Sequence, residues 1–308
     1  MEIVHRLAAR ADALRIAERR LPSGAKVYDF GVEAEGGLDA GLALAEICMA
    51  GLGRATITTG EIDGLVWPHV LVTTDAPVAA CLLSQYAGWQ ISVGKFFAMG
   101  SGPMRAASAR EELFTKLAYS ESPPGVVGVL ETGRLPGDAV VEFITERTGV
   151  AAGSTVLLAA PTSSQAGNVQ VVARSVETAL HKLFELGFDV QRIASGWGIV
   201  PLPPVAADDL AGIGRTNDAI LYGGHVVLWV HGDDESLAEI GPRVPANASA
   251  VHGRPFLEIF EEAGRDFYKT DPHLFSPAEI TFQNLDTGRV HRFGKVEPRV
   301  LKQSFGLE

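Results

Sequence analysis

The sequence contains few of the residues that build disulfide frameworks or metal sites. It has two cysteines, Cys48 and Cys81, both in apolar stretches of helical character. Their number and spacing predict buried thiols in a reducing compartment. The eight histidines are dispersed, with no H-x-x-x-H or H-E-x-x-H pair, and no G-x-S-x-G motif occurs. The sequence therefore predicts neither a metal site nor a serine hydrolase.

Positive charge is also scarce. The chain has 26 Lys and Arg residues against 37 Asp and Glu residues, which gives a net charge of −11. Sequence-independent binding of nucleic acid needs many contacts from Lys and Arg to phosphate, so this excess of negative charge disfavours nucleic-acid binding. An acidic surface favours a cationic substrate, although many bacterial proteins are acidic for solubility alone.

Long apolar runs are missing, so the sequence predicts no transmembrane segment. Charged residues interrupt the first twenty positions, which excludes a signal peptide. Within that stretch Val4, Leu7, Ala11 and Leu14 recur at helical spacing and predict an amphipathic helix. We therefore expect a soluble, cytoplasmic protein.

What the sequence does contain is an alternation of short apolar strands and helices, typical of an α/β protein with two α/β domains and a ligand cleft between them. The Pro- and Gly-containing stretch Ser120–Gly125 suggests domains at 1–122 and 123–308, although the C-terminal third could instead pack back on the first domain. Val70–Thr74 and Val156–Ala160 are each followed by a polar turn and a helix. This loose repeat suggests a pseudo-duplication, but such units are common in α/β proteins.

The clearest predicted helix is Asn168–Leu186, with Asn168 as N-cap and Gly187 just beyond its end. Its polar positions include Arg174 and Glu177, one turn apart. They form either an ordinary solvated face with a weak ion pair or a carboxylate and guanidinium that project into a cleft. In the second case the carboxylate stays ionised and is a candidate general base.

A glycine-rich turn, Gly100-Ser101-Gly102-Pro103, precedes a predicted helix that carries Arg105. Backbone N–H groups at such a turn can hold a phosphate. The turn matches neither a Walker A loop nor a G-x-G-x-x-G fingerprint, so a plain turn before a helix is the alternative.

A third candidate is the run Gly212–Gly224, in which four polar residues follow one another between glycines: Arg215, Thr216, Asn217 and Asp218. Polar groups on a glycine-flanked loop suit a heterocycle with amide and amino edges. The alternative is that Thr216 to Asp218 cap a short helix.

Several stretches together resemble the methenyltetrahydromethanopterin cyclohydrolase family. The most specific is 214–224; the others are Met99–Ala106, Ala173–Thr178, Pro201–Val205 and Asp271–Ala278. The resemblance covers most of the chain. It implies a two-domain α/β fold with a pterin pocket between the domains, a homotrimer, and no metal or dissociable cofactor.

The resemblance also implies an activity, the opening of the methenyl bridge of a methanopterin by water to give the 5-formyl compound. The family's catalytic Arg-x-x-Glu pair falls on Arg174 and Glu177. Glu177 is then the expected general base, and Arg174 positions it and the attacking water. Further residues are expected to bind the substrate, either its extended tail (Lys95, Gly100, Ser101, Gly102, Arg105) or the pterin edge (Arg215, Thr216, Asn217, Asp218).

Two other functions stay open at this point. A pterin-binding carrier would keep the pocket without the chemistry, although an intact Arg174–Glu177 pair argues against it. A phosphate-transferring enzyme built on Gly100–Gly102 lacks a Lys-Ser/Thr loop end and a clear magnesium carboxylate. Neither alternative involves a nucleic acid or a membrane.

Overall fold

The computed structural model describes residues 2–307, with the side chains of all of them except Glu2, Ile3, His5 and Tyr268. In chain order the strands are β1 (Ala17–Arg20), β2 (Lys26–Asp29), β3 (Gly53–Ile62), β4 (Leu65–Thr74), β5 (Trp89–Val93), β6 (Phe96–Ser101), β7 (Val126–Glu131), β8 (Thr155–Ala160), β9 (Ile193–Pro201), β10 (His225–Val230), β11 (Glu279–Asn284) and β12 (Val290–Gly294).

The α-helices are α1 (Glu2–Ala8), α2 (Ala11–Leu14), α3 (Leu38–Cys48), α4 (Pro103–Ser108), α5 (Glu112–Lys116), α6 (Asp138–Thr148), α7 (Gln165–Val172), α8 (Ser175–Glu185), α9 (Asp209–Gly223), α10 (Asp234–Ile240), α11 (Phe256–Glu262) and α12 (Pro298–Phe305). The segment Val78–Gln85, which includes the apolar stretch of helical character around Cys81, is a π-helix.

The chain divides into two compact units, each built on one sheet. The first unit comprises Met1–Leu52 and Ala79–Gln170, and the second comprises Gly53–Val78 and Val171–Glu308. Both mix a sheet with helices, which confirms the predicted α/β class and the division into two α/β domains. Among the described residues no helix is both long and apolar enough to cross a membrane.

The sheet of the first unit has the order β1-β2-β8-β7-β6-β5. Its central strand β8 is parallel to both neighbours, and all six residues of β8 are buried. Such strands are apolar on both sides because helices cover both faces of a parallel sheet. Val156 and Leu158 pack with residues of α1 to α3, whereas Leu157 and Ala159 pack with residues of α4 and α6.

The sheet of the second unit has the order β12-β11-β10-β9-β4-β3, and only β10 and β11 are parallel neighbours. Buried and partly exposed residues alternate along β10. This period of two is typical of a strand with helices on one face. Helix α8 packs on the buried face, where its Val176 lies over Gly196 of β9.

The units do not follow the predicted boundary. The stretch Ser120–Gly125 lies inside the first unit, because β7 pairs with β6 and β8 immediately after it. The β3–β4 hairpin precedes that stretch but belongs to the second unit, as does the C-terminal third. Pro- and Gly-rich stretches mark connections within a domain as readily as connections between domains.

The structure does not confirm the suggested duplication. Val70–Thr74 is part of β4, which lies between two antiparallel neighbours, β3 and β9. Val156–Ala160 is part of β8, which lies between two parallel ones. The two segments that suggested a repeat therefore occupy different positions in different sheet arrangements.

Candidate active site

The predicted helix Asn168–Leu186 is two helices. Helix α7 begins at Gln165, and the chain leaves helical geometry at Ala173 and Arg174 before α8 begins at Ser175. The Arg174 N–H donates to Val171 O, three residues back, at 3.1 Å. The break makes Arg174 the N-cap residue of α8 and Glu177 its third residue. The predicted end is confirmed, since Gly187 has a φ of +82° just beyond α8.

Packing against β9 accounts for the beginning of α8. Ser175 lies over Gly198, and a Cβ atom on Gly198 would come within 3.0 Å of the Ser175 Cβ. The next residue of α8 packs equally closely: a Cβ atom on Gly196, two residues before Gly198 in β9, would lie 2.7 Å from the Val176 Cγ1. The two glycines of β9 let the first turn of α8 approach the strand closely.

The interpretation of this segment as an ordinary solvent-exposed polar face is wrong for Gln170, Arg174 and Glu177, because all three are buried. Gln170 is 2% exposed, Arg174 6% and Glu177 5%. Charged groups are rarely buried without a partner or a function. A carboxylate in the first turn is also stabilised by the positive end of the helix dipole. A carboxylate and a guanidinium therefore lie buried together at the beginning of α8.

Helix α8 is further tied to a distant stretch of the second unit. The Lys182 Nζ donates to His273 O at 2.7 Å and lies 3.1 Å from His273 Nδ1. Lys182 is buried, and this burial lowers its pKa to about 8. The contact anchors the middle of α8 to Asp271–Ala278, one of the stretches that carries the family resemblance. The sequence did not predict this link, because it joins two segments that are 91 residues apart in the chain.

The run Gly212–Gly224 is not a loop. It lies in α9, whose N-cap is Asp208, and the Asp208 carboxylate accepts from Ala211 N at 2.9 Å. The expected cap at Thr216–Asp218 is therefore also wrong. Asp208 and Asp209 are a stronger signal for the beginning of a helix than Thr216–Asp218. The glycines at 212 and 214 do not interrupt the helix that begins there.

The four polar residues of that run are engaged inside the second unit. Thr216 and Asn217 donate to backbone oxygens of the preceding turn, at 2.8 and 2.9 Å. The Arg215 Nε donates to Ser304 O at 3.2 Å. Asp218 is 1% exposed, and its two oxygens accept from Phe256 N at 2.7 Å and from Ser304 Oγ at 2.6 Å. Asp218 thus joins α9 to the beginning of α11 and to α12.

Burial dominates the electrostatics of Asp218. It raises the pKa of the carboxyl from 3.8 to about 7, against the opposing effect of the two hydrogen bonds. Burial therefore favours the protonated form of Asp218 more than an exposed position would, while its two oxygens tie α9 to α11 and α12.

The glycine turn lies in the first unit and is shaped by its own packing. Gly102 has a φ of +87°, and its N–H donates to Ser84 O at 2.8 Å. Pro103 follows as the first residue of α4 and has no N–H. A Cβ on Gly100 would lie 2.8 Å from Met104 Cε, and Ser101 is buried. The turn therefore leaves fewer backbone donors for a phosphate than its sequence suggests.

Arg105 is held in the same way. Its Nε and Nη2 donate to the two carboxylate oxygens of Glu111, both at 2.7 Å, and its Nη1 donates to Leu82 O and Leu83 O at 3.1 Å. The guanidinium also lies over the ring of Tyr86. With 1% of the residue exposed, the Arg105 side chain ties the π-helix to Glu111.

Lys95 differs from these residues because it is exposed, at the turn between β5 and β6. The Arg134 guanidinium donates to its carbonyl oxygen at 3.2 Å and fixes the turn from the side. Of the residues predicted to bind the tail, Lys95 is the one whose charged group reaches solvent.

A buried polar cluster that was not predicted surrounds Cys48. The Cys48 Sγ lies 3.2 Å from Ser101 Oγ and 3.8 Å from Gln170 Nε2, and its carbonyl accepts from Ser84 Oγ at 2.7 Å. Both cysteines are buried and reduced, as predicted. The available signal was glutamine in apolar surroundings, at Gln170 and at Gln85, which ends the π-helix.

Among the described residues no group of three or more His, Cys, Asp or Glu side chains is arranged to hold a metal ion. Phosphate-transfer chemistry gains no support from the glycine turn, given its contacts above.

Comparison with known proteins agrees with the resemblance found in the sequence. A family model described as "Cyclohydrolase (MCH)" matches residues 1–305. A methenyltetrahydromethanopterin cyclohydrolase of Methylobacillus flagellatus is 46% identical over 305 residues, which cover 99% of this chain and 93% of that protein. Proteins of the same name from Xanthobacter autotrophicus and Methanosarcina barkeri are 47% and 42% identical, covering 99% and 96% of this chain and 90% and 94% of their own.

Proposed function

This chain belongs to the methenyltetrahydromethanopterin cyclohydrolase family, and on that premise we propose that it hydrolyses the methenyl bridge of 5,10-methenyltetrahydromethanopterin to 5-formyltetrahydromethanopterin. The reaction belongs to one-carbon metabolism, in methanogenesis or in formaldehyde oxidation. The observation that supports it most is the buried pair Arg174 and Glu177 at the beginning of α8.

The substrate carries its own activation. The methenyl bridge is an amidinium-like cation, so its carbon accepts a nucleophile without a metal or a covalent intermediate. The enzyme has to align a water molecule, remove its proton and tolerate the positive charge of the bridge. An anionic carboxylate next to the reacting carbon can both remove the proton of the water and stabilise the positive charge of the bridge.

Glu177 is proposed as the general base. It takes a proton from water as the oxygen bonds to the bridge carbon, which gives a neutral carbinolamine. One C–N bond then breaks: the departing ring nitrogen receives the proton that Glu177 returns, and the hydroxyl proton of the carbinolamine passes to Glu177 and on to solvent as the formyl C=O forms. Overall the cation and water give the neutral formyl compound and one released proton.

Arg174 is proposed to position Glu177 and the water. Residues three apart at a helix beginning lie on the same side, so its guanidinium can direct both. A guanidinium donates in a fixed fork, which favours one orientation of a carboxylate. The contact of Ser175 with Gly198 fixes the backbone between the two catalytic side chains.

Lys95 is proposed to bind the anionic tail of the substrate, since it is exposed on a turn that Arg134 holds in place. Arg105, Thr216 and Asp218 have their polar groups engaged within the protein, and we give them a supporting role. A cytoplasmic location is part of the proposal, because two reduced cysteines suit a reducing compartment. A homotrimeric assembly stays a prediction.

A direct assay tests the activity. The methenyl pterin has a strong near-ultraviolet absorbance that disappears when the ring opens. Catalytic loss of this absorbance with the purified chain supports the proposal. Stoichiometric binding without loss would instead identify a pterin carrier, and the absence of both would reject any pterin function.

A further inference from the structure

Helix α8 is held on two sides by different parts of the second unit. On one side Val176 packs closely on Gly196 of β9. On another side the Lys182 Nζ donates to His273 O at 2.7 Å and lies 3.1 Å from His273 Nδ1. Residues six apart on an α-helix differ by about 120° around its axis. The contacts of Val176 and Lys182 therefore restrain α8 from two directions.

The stretch Asp271–Ala278 is itself tied to the rest of the second unit. The Asp271 carboxylate accepts from His273 N at 3.0 Å and from Ser249 Oγ at 2.6 Å. At the other end of the stretch, the N–H of its last residue donates to Ile220 O of α9 at 3.2 Å. Because these ties do not involve α8, the carbonyl that receives Lys182 is an anchor for the helix.

The burial of Lys182 opposes the stability of the fold. Lys182 is 2% exposed, and burial lowers its pKa to about 8 in spite of the favourable charge of Asp271. An apolar side chain of the same length would fill the space without the desolvation of an ammonium group. Stability alone therefore does not account for a lysine at this position.

Rotation of α8 about its own axis would displace the proposed general base, Glu177. Side chains of an α-helix reach roughly 5–6 Å from its axis, so a rotation of about 10° moves their ends by about 1 Å. A displacement of about 1 Å can reduce a catalytic rate by about two orders of magnitude. Contact with β9 on one side leaves this rotation less restrained than contact on two sides.

From these observations we propose that Lys182 is a positioning residue, which holds α8 against rotation and thereby keeps Glu177 in line with the bridge carbon. The inference rests on the proposed function, because Lys182 acts through the general base assigned there. Lys182 works through the backbone of α8 and has no contact of its own with the substrate.

Lys182→Met tests the proposal, because methionine keeps an unbranched side chain of similar length and removes the donor. With the methenyl substrate, kcat is expected to fall at least tenfold, with KM unchanged and an unfolding midpoint close to that of the wild type. A lysine that served stability alone would give the reverse, a lower midpoint and a normal kcat. Lys182→Arg keeps a cationic donor and should recover part of kcat.

Lys302→Met is the matched control. Lys302 belongs to α12 of the same unit, and its Nζ donates to Asp63 Oδ2 at 2.6 Å. The same substitution therefore breaks a contact of the same kind on a different helix. Its kcat should match that of the wild type.

Ser249→Ala serves as a second variant if Lys182→Met does not fold. It removes the hydrogen bond from Ser249 to Asp271 and leaves the sequence of α8 intact, so kcat should fall at least threefold. A folded Lys182→Met enzyme, or in its place a folded Ser249→Ala enzyme, with the kcat of an active wild type would overturn this inference alone. A wild type without turnover would reject the proposed function and the inference together.

Discussion

Gly198 of β9 lies directly beneath Ser175, the first residue of α8, and leaves no room for a side chain. A Cβ atom at Gly198 would lie 3.0 Å from the Ser175 Cβ and closer still to its hydroxyl oxygen. Because Ser175 stands between Arg174 and Glu177, this contact determines where the proposed catalytic pair is held.

Substitution of that glycine tests the relationship. Gly198→Ala should displace the beginning of α8 and reduce kcat at least tenfold, since a shift of about 1 Å can cost two orders of magnitude in rate. Overpacking should also lower the free energy of unfolding by about 1–3 kcal/mol. Steady-state kinetics and urea denaturation measure the two effects.

Ser175→Ala in the same chain removes the closer of the two clashing atoms and should recover part of the lost activity. Gly137→Ala is the control, because Gly137 has a φ of −108° and nothing within 4 Å of an added Cβ. A Gly198→Ala enzyme with normal kcat would show that the close approach is not needed.

A second prediction concerns the pH dependence of stability. Burial raises the pKa of Asp218 from 3.8 to about 7, so the folded protein holds this proton more tightly than the unfolded chain. The stabilisation is fully present below about pH 4 and is lost as the pH rises through 7. Three pKa units correspond to about 4 kcal/mol.

Asp218→Asn should remove this loss. The amide oxygen can accept from Phe256 N and the amide nitrogen can donate to Ser304 Oγ, so both ties persist without a buried charge. We expect the variant to exceed the wild type in unfolding free energy at pH 8, with a difference that shrinks towards pH 5. Glu239→Gln, at an exposed position of α10, should show no such trend. Equal stability of Asp218→Asn and wild type at pH 8 would contradict the buried ionised state.

A third prediction separates support from binding at Arg105. Arg105→Met removes a buried guanidinium that donates to Glu111, Leu82 and Leu83, and should lower the free energy of unfolding by about 2–4 kcal/mol. The folded enzyme should keep its KM. Lys95→Ala should do the opposite, raising KM while leaving the unfolding midpoint unchanged. A higher KM in Arg105→Met at full folding would restore Arg105 as a binding residue.

The sequence predicted the alternation of short strands and helices, because those patterns are local. Val70–Thr74 and Val156–Ala160, two of the apolar segments noted in the sequence, lie in β4 and β8. Gly187 is an equally local signal and ends α8 as expected. What the sequence could not indicate is which strands share a sheet, since that depends on contacts between distant segments.

The candidate active site also depends on contacts between distant segments that local sequence patterns do not predict. The break at Arg174 interrupts a stretch with good helical periodicity, and close packing of Ser175 on Gly198 overrides that propensity. The polar run in α9 was expected as a loop because glycines outweighed the Asp208 cap. The roles proposed for Arg174 and Glu177 come from the family resemblance, and their burial, which periodicity did not predict, is consistent with those roles.

The central claim is that Glu177 is the general base. The most direct measurement is the kcat of Glu177→Gln for the methenyl substrate, beside Glu185→Gln, which changes an exposed residue of the same helix. Glu177→Gln keeps the size of the side chain and removes its basicity, so its kcat should fall by at least two orders of magnitude with an unchanged fold. Glu185→Gln should match the wild type. A Glu177→Gln enzyme with near-normal turnover would contradict the account.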